Sequence, residues 1–349
     1  MKTKNHAVGL AIAAAALYAV NIPLSKILLQ NISATMMAAL LYLGAGTGML
    51  LFQLIGRASG HAAYKEPLTR TEMPYTVAMV LLDILAPILL MVGIRQTDAA
   101  NASLLNNFEI VANSVIALVI FREAISKKLW TAIGLVTLAS AILSFEGAGA
   151  FSFQRGSLFV LGACICWGFE NNCTKMISNK SSEEIVIIKG WFSGLGSLIT
   201  ALLLGEHIPM LPWIAAAMLL GFVAYGMSIN CYIMAQKDLG AAKTSAFYSI
   251  APFLGVLFGM ILLHERPGLQ FYIALAIMAV STVLMAKDSI ELQHTHEHTH
   301  THTHEHRHGE LVHTHAHTHV HTHLHIHNGD AEIHLHSHDR PDDHRHCHS

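Results

Sequence analysis

Ten apolar blocks set the limits on what this chain folds into. They lie at about 7–29, 33–55, 74–94, 98–120, 129–145, 157–176, 185–204, 212–235, 241–262 and 268–286, separated by short polar loops. Blocks of roughly 18 to 25 residues, at ~1.5 Å per residue, suffice to cross ~30 Å of hydrocarbon as helices. With 53% hydrophobic and only 13% charged residues, the 349-residue chain falls in the membrane class rather than the soluble one. The alanine-rich first block follows Lys2 and Lys4 as a signal peptide would, but Asn21, Pro23 and Lys26 do not fit one, and the block is read as a retained helix.

Lysine and arginine alternate between the two sides. One side carries Lys2, Lys4, Arg57, Lys65, Arg70, Arg122, Lys127, Lys128, Lys180, Lys237, Lys243 and Lys287, the other only Arg95, Arg155 and Arg266. Positive loops stay in the cytoplasm, so both termini are expected there, in a bacterial inner membrane. Of five cysteines, Cys164, Cys166, Cys173 and Cys231 fall inside apolar blocks and Cys347 in the tail, which excludes a secreted disulfide framework. No basic stripe marks a nucleic-acid partner.

The chain repeats itself weakly. Tyr18-Ala-Val-Asn-Ile-Pro-Leu-Ser-Lys26 and Trp167-Gly-Phe-Glu-Asn-Asn-Cys-Thr-Lys175 each place a lysine eight residues after an aromatic ring. Further on, Asp98-Ala-Ala-Asn-Ala-Ser103 parallels Gly240-Ala-Ala-Lys-Thr-Ser245, and Phe121-Arg-Glu123 parallels His264-Glu265 at the same distance downstream. Two sets of five helices follow, and an odd number of crossings inverts the second set relative to the first, an arrangement that puts a binding site between the halves near the midplane. The expected architecture is an all-α membrane protein: a first five-helix repeat over 1–146, a second over 147–287 and a disordered cytoplasmic tail over 288–349.

On these motifs, residues 7–286 resemble the EamA domain of the drug/metabolite transporter superfamily. The resemblance implies ten transmembrane helices and export or exchange of small metabolites. It also suggests gating or substrate-carboxylate binding by Lys26 and Lys175, for which snorkelling to the interface is the plainer reading. One departure stands out: the second half has the family's proline as Pro252, whereas the first has Glu109-Ile110 at the aligned place.

Ionisable groups in mid-membrane are costly and mark a pathway or an interior cavity. Asp83 and Glu109 lie near the centres of the third and fourth blocks, at similar depth, and predict a shared site. Asn106, Glu109 and Asn113, spaced by three and four residues, fall within roughly a 60° arc of one helix; this stripe serves substrate or protons, or else holds helices together through amide hydrogen bonds. Glu170 shares a face with Cys166, Cys173 and Thr174 and is followed by Asn171 and Asn172. Two thiols and a carboxylate are an incomplete zinc set, and cysteine often serves as a small apolar filler. Asn21, Pro23 and Ser25 loosen the first helix and free backbone groups for a ligand. Substrate or coupling-ion candidates are therefore Asn21, Lys26, Asp83, Asn106, Glu109, Asn113, Glu170, Asn171 and Lys175. Gly44 and Gly48, Gly190 and Gly194, and Gly255 and Gly259 have the small-xxx-small spacing of close helix contacts.

Only His6, His61, His207 and His264 of the 26 histidines precede residue 288; the other 22 alternate with Thr, Glu and Asp in the tail. Imidazoles on a flexible chain bind zinc, nickel and cobalt with little selectivity. The metal candidates are His313, His315, His317, His319, His321, His323, His325, His327, His334, His336, His338, His344, His346 and His348. No cofactor is required beyond such ions.

The reading that results is a secondary transporter, an exporter of a small metabolite or amino-acid-like solute, whose tail binds divalent metal. The lipid bilayer, the solute, metal ions and a second copy of the chain are its expected partners. Divalent metal as cargo is the alternative, weakened because no histidine lies at mid-depth. A membrane-anchored metal sensor is a third reading. An enzyme is not expected: His264-Glu265-Arg-Pro-Gly268 lacks the second histidine of a zinc-protease helix, and Pro267 would break that helix.

Overall fold

The computed structural model describes residues 2–58, 69–121, 126–144, 154–177, 182–239, 241–308 and 311–326. The chain divides into two units, Met1–Glu291 and Leu292–Ser349.

The described part of the first unit is helical. Its opening helices are α1 (Lys2–Ala19), α2 (Asn21–Leu28), α3 (Ala34–Ala58), α4 (Met73–Gln96), α5 (Ala99–Leu105), α6 (Phe108–Phe121) and α7 (Lys127–Ser144). There follow α8 (Arg155–Met176), α9 (Ser182–Ile188), α10 (Gly194–Leu203), α11 (Leu211–Gly221) and α12 (Ser228–Leu239). The last are α13 (Ala241–Tyr248), α14 (Ala251–Leu263) and α15 (Leu269–Leu292). Eight stretches among the described residues are long and apolar enough to cross a membrane: Asn5–Leu28, Ala34–Ile55, Arg70–Gln96, Ala99–Ile120, Lys127–Ser144, Glu184–Leu203, Leu211–Gln236 and Leu269–Asp288. The other two apolar blocks are helical as well. One is α8, which carries Glu170, Asn171, Asn172 and Lys175; the other is split into α13 and α14.

The splits have local causes. Pro23 and Pro252 lack the N–H that would bond the carbonyl four residues back, and the helix is interrupted just before each, at Val20 and at Ser249-Ile250. The α5/α6 break has no proline. There the Asn107 N–H turns to the carbonyl of Leu104 at 3.2 Å, and the Asn107 side-chain amide donates to the same carbonyl at 3.1 Å. The Cys164 thiol faces the carbonyls of Leu105 and Asn106 at 3.7 and 3.8 Å, meeting acceptors that the break releases. Two π-helical turns, Lys189–Ser193 and Phe222–Met227, join α9 to α10 and α11 to α12.

The bundle is apolar inside and out. Met36, Met37, Leu41, Leu90, Met91, Leu104, Leu105 and Met278 fill the core, while Leu54, Val119, Phe192, Leu203 and Leu219 lie on the surface, Leu203 with 83% of its area exposed. An apolar exterior on this scale suits lipid rather than water. Segments distant in sequence are neighbours: α4 and α6 pack on α8, α3 on α10 and α11, α1 on α12, and α5 on α14. Small residues permit this. A Cβ on Gly46 would meet the main chain of Gly190 and Trp191 at 2.9 Å, and one on Gly44 would run into the main chain of Met218.

In the second unit the tail departs from the disorder predicted for it. β1 (Gln293–His308) and β2 (Leu311–Ile326) pair antiparallel, with His294 opposite His325 and His306 opposite His313. Disorder was expected because the tail lacks core-forming residues, but strict alternation is also the period of a strand, and Thr is a good strand former. Residues from 327 onward, with His327, His334, His336, His338, His344, His346 and His348, lie outside the described residues.

Two glycine substitutions should separate packing from propensity. Gly46→Val is expected to lower stability by about 1–3 kcal/mol, as overpacking against main chain does. Gly134→Ala, with nothing within 4 Å of its would-be Cβ, should leave stability unchanged or raise it slightly. Thermal unfolding of the purified protein in detergent measures both.

Candidate functional site

A cavity of about 550 Å³ opens inside the first unit. Of the residues predicted from sequence, Asp83, Asn106, Glu109, Asn113, Glu170 and Asn171 line it together. α4 contributes Asp83, α6 contributes Glu109 and Asn113, and α8 contributes Glu170 and Asn171; Asn106 stands at the α5/α6 break.

One charge in the wall was not anticipated. Lys189, the first residue of a π turn, places its Nζ 2.6 Å from Glu170 Oε1 and 3.4 Å from Asp83 Oδ2. The Tyr42 hydroxyl donates to Asp83 Oδ1 at 3.0 Å, and the Thr174 hydroxyl donates to Glu170 Oε1. Asp83 and Glu170 are almost fully buried, so the ammonium between them offsets a desolvation that neither carboxylate could bear alone. Glu109 stands apart from this triad and accepts from the Asn171 amide at 2.7 Å. Asn172 donates to Asn113 Oδ1 at 2.8 Å and to the Gly168 carbonyl at 2.8 Å, so consecutive asparagines of α8 hold two residues of the α6 stripe. Within the stripe, Asn113 joins helices through this amide hydrogen bond, and Glu109 and Asn113 both line the cavity.

Aromatic rings form the rest of the wall. Tyr42, Tyr225, Tyr18, Tyr248 and Tyr232 follow one another with centroid separations of 5.5, 6.0, 5.9 and 5.1 Å. The Asn21 amide donates to the Tyr225 hydroxyl at 3.0 Å, so Asn21 acts on the cavity through that ring and is not itself in the lining. The Asn106 amide donates to the Tyr18 hydroxyl at 3.3 Å. Tyr225 belongs to the second π turn, so both wide turns deliver a polar side chain to the cavity, a common use of such turns. Lys189 was detectable by the reasoning that found Asp83, since it sits five residues into an apolar block. The tyrosines come from helices far apart in sequence and share no spacing that would announce them.

Lys26 and Lys175 lie outside the lining. Lys175 is exposed in the last turn of α8. Lys26 Nζ lies 3.7 Å from Glu265 Oε1 and 3.9 Å from Asp98 Oδ1, and donates to the carbonyl of Thr97. Glu265 also accepts from the N–H groups of Ala99 and Ala100 at 2.7 and 2.8 Å, binding the start of α5 to the end of α14. Glu206 was not anticipated; it does the same for α3, accepting from the Ser33 hydroxyl at 2.6 Å and the Met36 N–H at 2.8 Å. Cys166 and Cys173 do not line the cavity beside Glu170, and no group of three His, Cys, Asp or Glu able to hold a metal occurs among the described residues. His313, His315, His317, His319, His321, His323 and His325 stand at alternate positions of β2.

The buried triad predicts a sharp asymmetry. Lys189→Met should destabilise the protein by about 3–5 kcal/mol, because two buried carboxylates lose their counter-charge. Adding Glu170→Gln to Lys189→Met should recover part of that loss. A double-mutant cycle by thermal unfolding checks it; equal, additive losses would remove the triad from the account.

Residues 5–145 and 154–287 each match the model of the EamA-like transporter family. An uncharacterized transporter of Methanothermobacter thermautotrophicus is 24% identical over 273 residues, covering 73% of this chain and 78% of that protein. The uncharacterized transporter YyaM of Bacillus subtilis is 22% identical over 217 residues, covering 58% of this chain and 69% of its own. A solved crystal structure with 15% identity shares the fold at a TM-score of 0.59, over 82% of this chain and 98% of that one.

Proposed function

The chain belongs to the EamA-like transporter family and is an integral membrane protein, and from there we propose that it is a secondary carrier, exporting a small metabolite or amino-acid-like solute through the cavity, with a tail that binds divalent metal. The observation that carries this reading is a solute-sized cavity within an apolar bundle, walled by three carboxylates, a lysine and a set of aromatic rings. Ionisable groups inside a membrane protein face its interior or a water-filled cavity and mark a path for something polar. It is read as a carrier, not an enzyme.

Ten helices as two inverted five-helix repeats, 1–146 and 147–287, suit the two family matches and the interrupted helices α5/α6 and α13/α14, which stand at corresponding places. The lysine and arginine distribution favours cytoplasmic termini in a bacterial inner membrane. In that orientation the cavity lining extends toward the cytoplasmic end, where Ser245 is exposed, and the Lys26–Glu265–Asp98 contacts close the opposite end. A carrier must part these contacts to release its solute, with proton or cation movement as the drive.

One observation favours divalent metal as a second reading of the cargo. The strand register places seven histidine pairs opposite each other, from His294 with His325 to His306 with His313, an array for zinc, nickel or cobalt. Flux in reconstituted vesicles tests both readings. The whole chain and a version ending after Lys287 should carry none of these ions across, and only the whole chain should bind them in equilibrium dialysis. Metal movement persisting without the tail would make metal the cargo. Glu109→Gln is expected to abolish solute flux or remove its pH dependence; normal, still pH-dependent flux would take Glu109 out of the coupling.

A further inference from the structure

The charge and the walls of the cavity restrict what it accepts. We infer that its solute is a monovalent organic cation, an alkyl- or arylammonium ion that moves along the tyrosine rings and is held by Glu109. This rests on the carrier reading and narrows its solute to a cationic metabolite, setting the amino-acid-like one aside.

Three carboxylates face one ammonium in the lining, so the fully ionised cavity has an excess of negative charge. Lys189 already faces two of the three carboxylates, Asp83 at 3.4 Å and Glu170 at 2.6 Å, so its charge is spent on the wall. Glu109 has no ion-pair partner among the described residues, and the one contact seen for it is with a neutral amide. Elsewhere in the lining, the nearly fully buried Asp83 has an Oδ2 that faces Lys189 at 3.4 Å and accepts no hydrogen bond. With three acids to one base, the wall favours an occupant that brings positive charge.

The rings say which kind of cation. Tyr42, Tyr225, Tyr18, Tyr248 and Tyr232 form an unbroken series from Asp83, to which the Tyr42 hydroxyl donates, to the Ser245 end of the lining. Ring faces attract large, weakly hydrated cations such as substituted ammoniums. Divalent metals need several convergent donors, and among the described residues no such group lines the cavity. A zwitterionic amino acid would bring its carboxylate to a wall that already carries three.

Titration calorimetry on the purified full chain tests the inference with three probes of one ring size: benzyltrimethylammonium, phenylalanine and phenylacetate. Benzyltrimethylammonium should bind saturably, and the other two at least tenfold more weakly. Glu109→Gln should weaken the cation at least tenfold with size-exclusion behaviour unchanged. Tyr248→Leu should weaken it several-fold while Tyr248→Phe, which keeps the ring, binds as the parent does; this pair holds the test open should Glu109→Gln fail to fold. No saturable cation binding, or phenylalanine or phenylacetate binding as tightly as the cation, overturns the inference. Cavity-dependent flux of an anion or zwitterion with the cation excluded would sink it and leave the carrier reading intact. Cation binding without flux of any solute would do the reverse.

Discussion

Everything at the centre of this bundle depends on one ammonium group held between two carboxylates. In an apolar interior neither Asp83 nor Glu170 could remain charged alone, and α4 and α8 could not bring both to one place without repulsion. Lys189 reaches them from a third segment. The triad thereby ties together three segments, α4, α8 and the π turn after α9, and Glu109 and the tyrosines line the same cavity.

Interruptions in the helices supply much of the polarity. Regular helices satisfy their own main chain and offer only side chains to a cavity. Here the α5/α6 break brings Asn106 and Glu109 to the wall, and the π turns bring Lys189 and Tyr225. Each irregularity is compensated nearby. The Asn107 amide and the Cys164 thiol meet carbonyls at the α5/α6 break.

Much of this was legible in the sequence because the bilayer writes a loud signal. Block length gave the helices, and charge out of place gave Asp83, Glu109 and Glu170. The stripe of Asn106, Glu109 and Asn113 followed from helical spacing alone. Lys189 escaped because a lysine near a block's start reads as an interfacial one, although the reasoning that found Asp83 applied to it as well. The ring series escaped because it is assembled from four separate segments. Lys26 was noticed through its repeat partner, but its engagement with Glu265 needed the fold, since 239 residues separate them. In the tail, composition spoke for disorder and period for strands, and the structure follows the period.

Glu265 has two tasks that cannot be separated. Its carboxylate holds Lys26 and at the same time satisfies the N–H groups of Ala99 and Ala100 at the start of α5. Pulling α14 away from α5 would strip those donors of this acceptor. Were the two helices to part, water would have to take the carboxylate's place, so that opening this end would be a wetting event as much as a motion, its rate following how readily water enters rather than how far the helices travel.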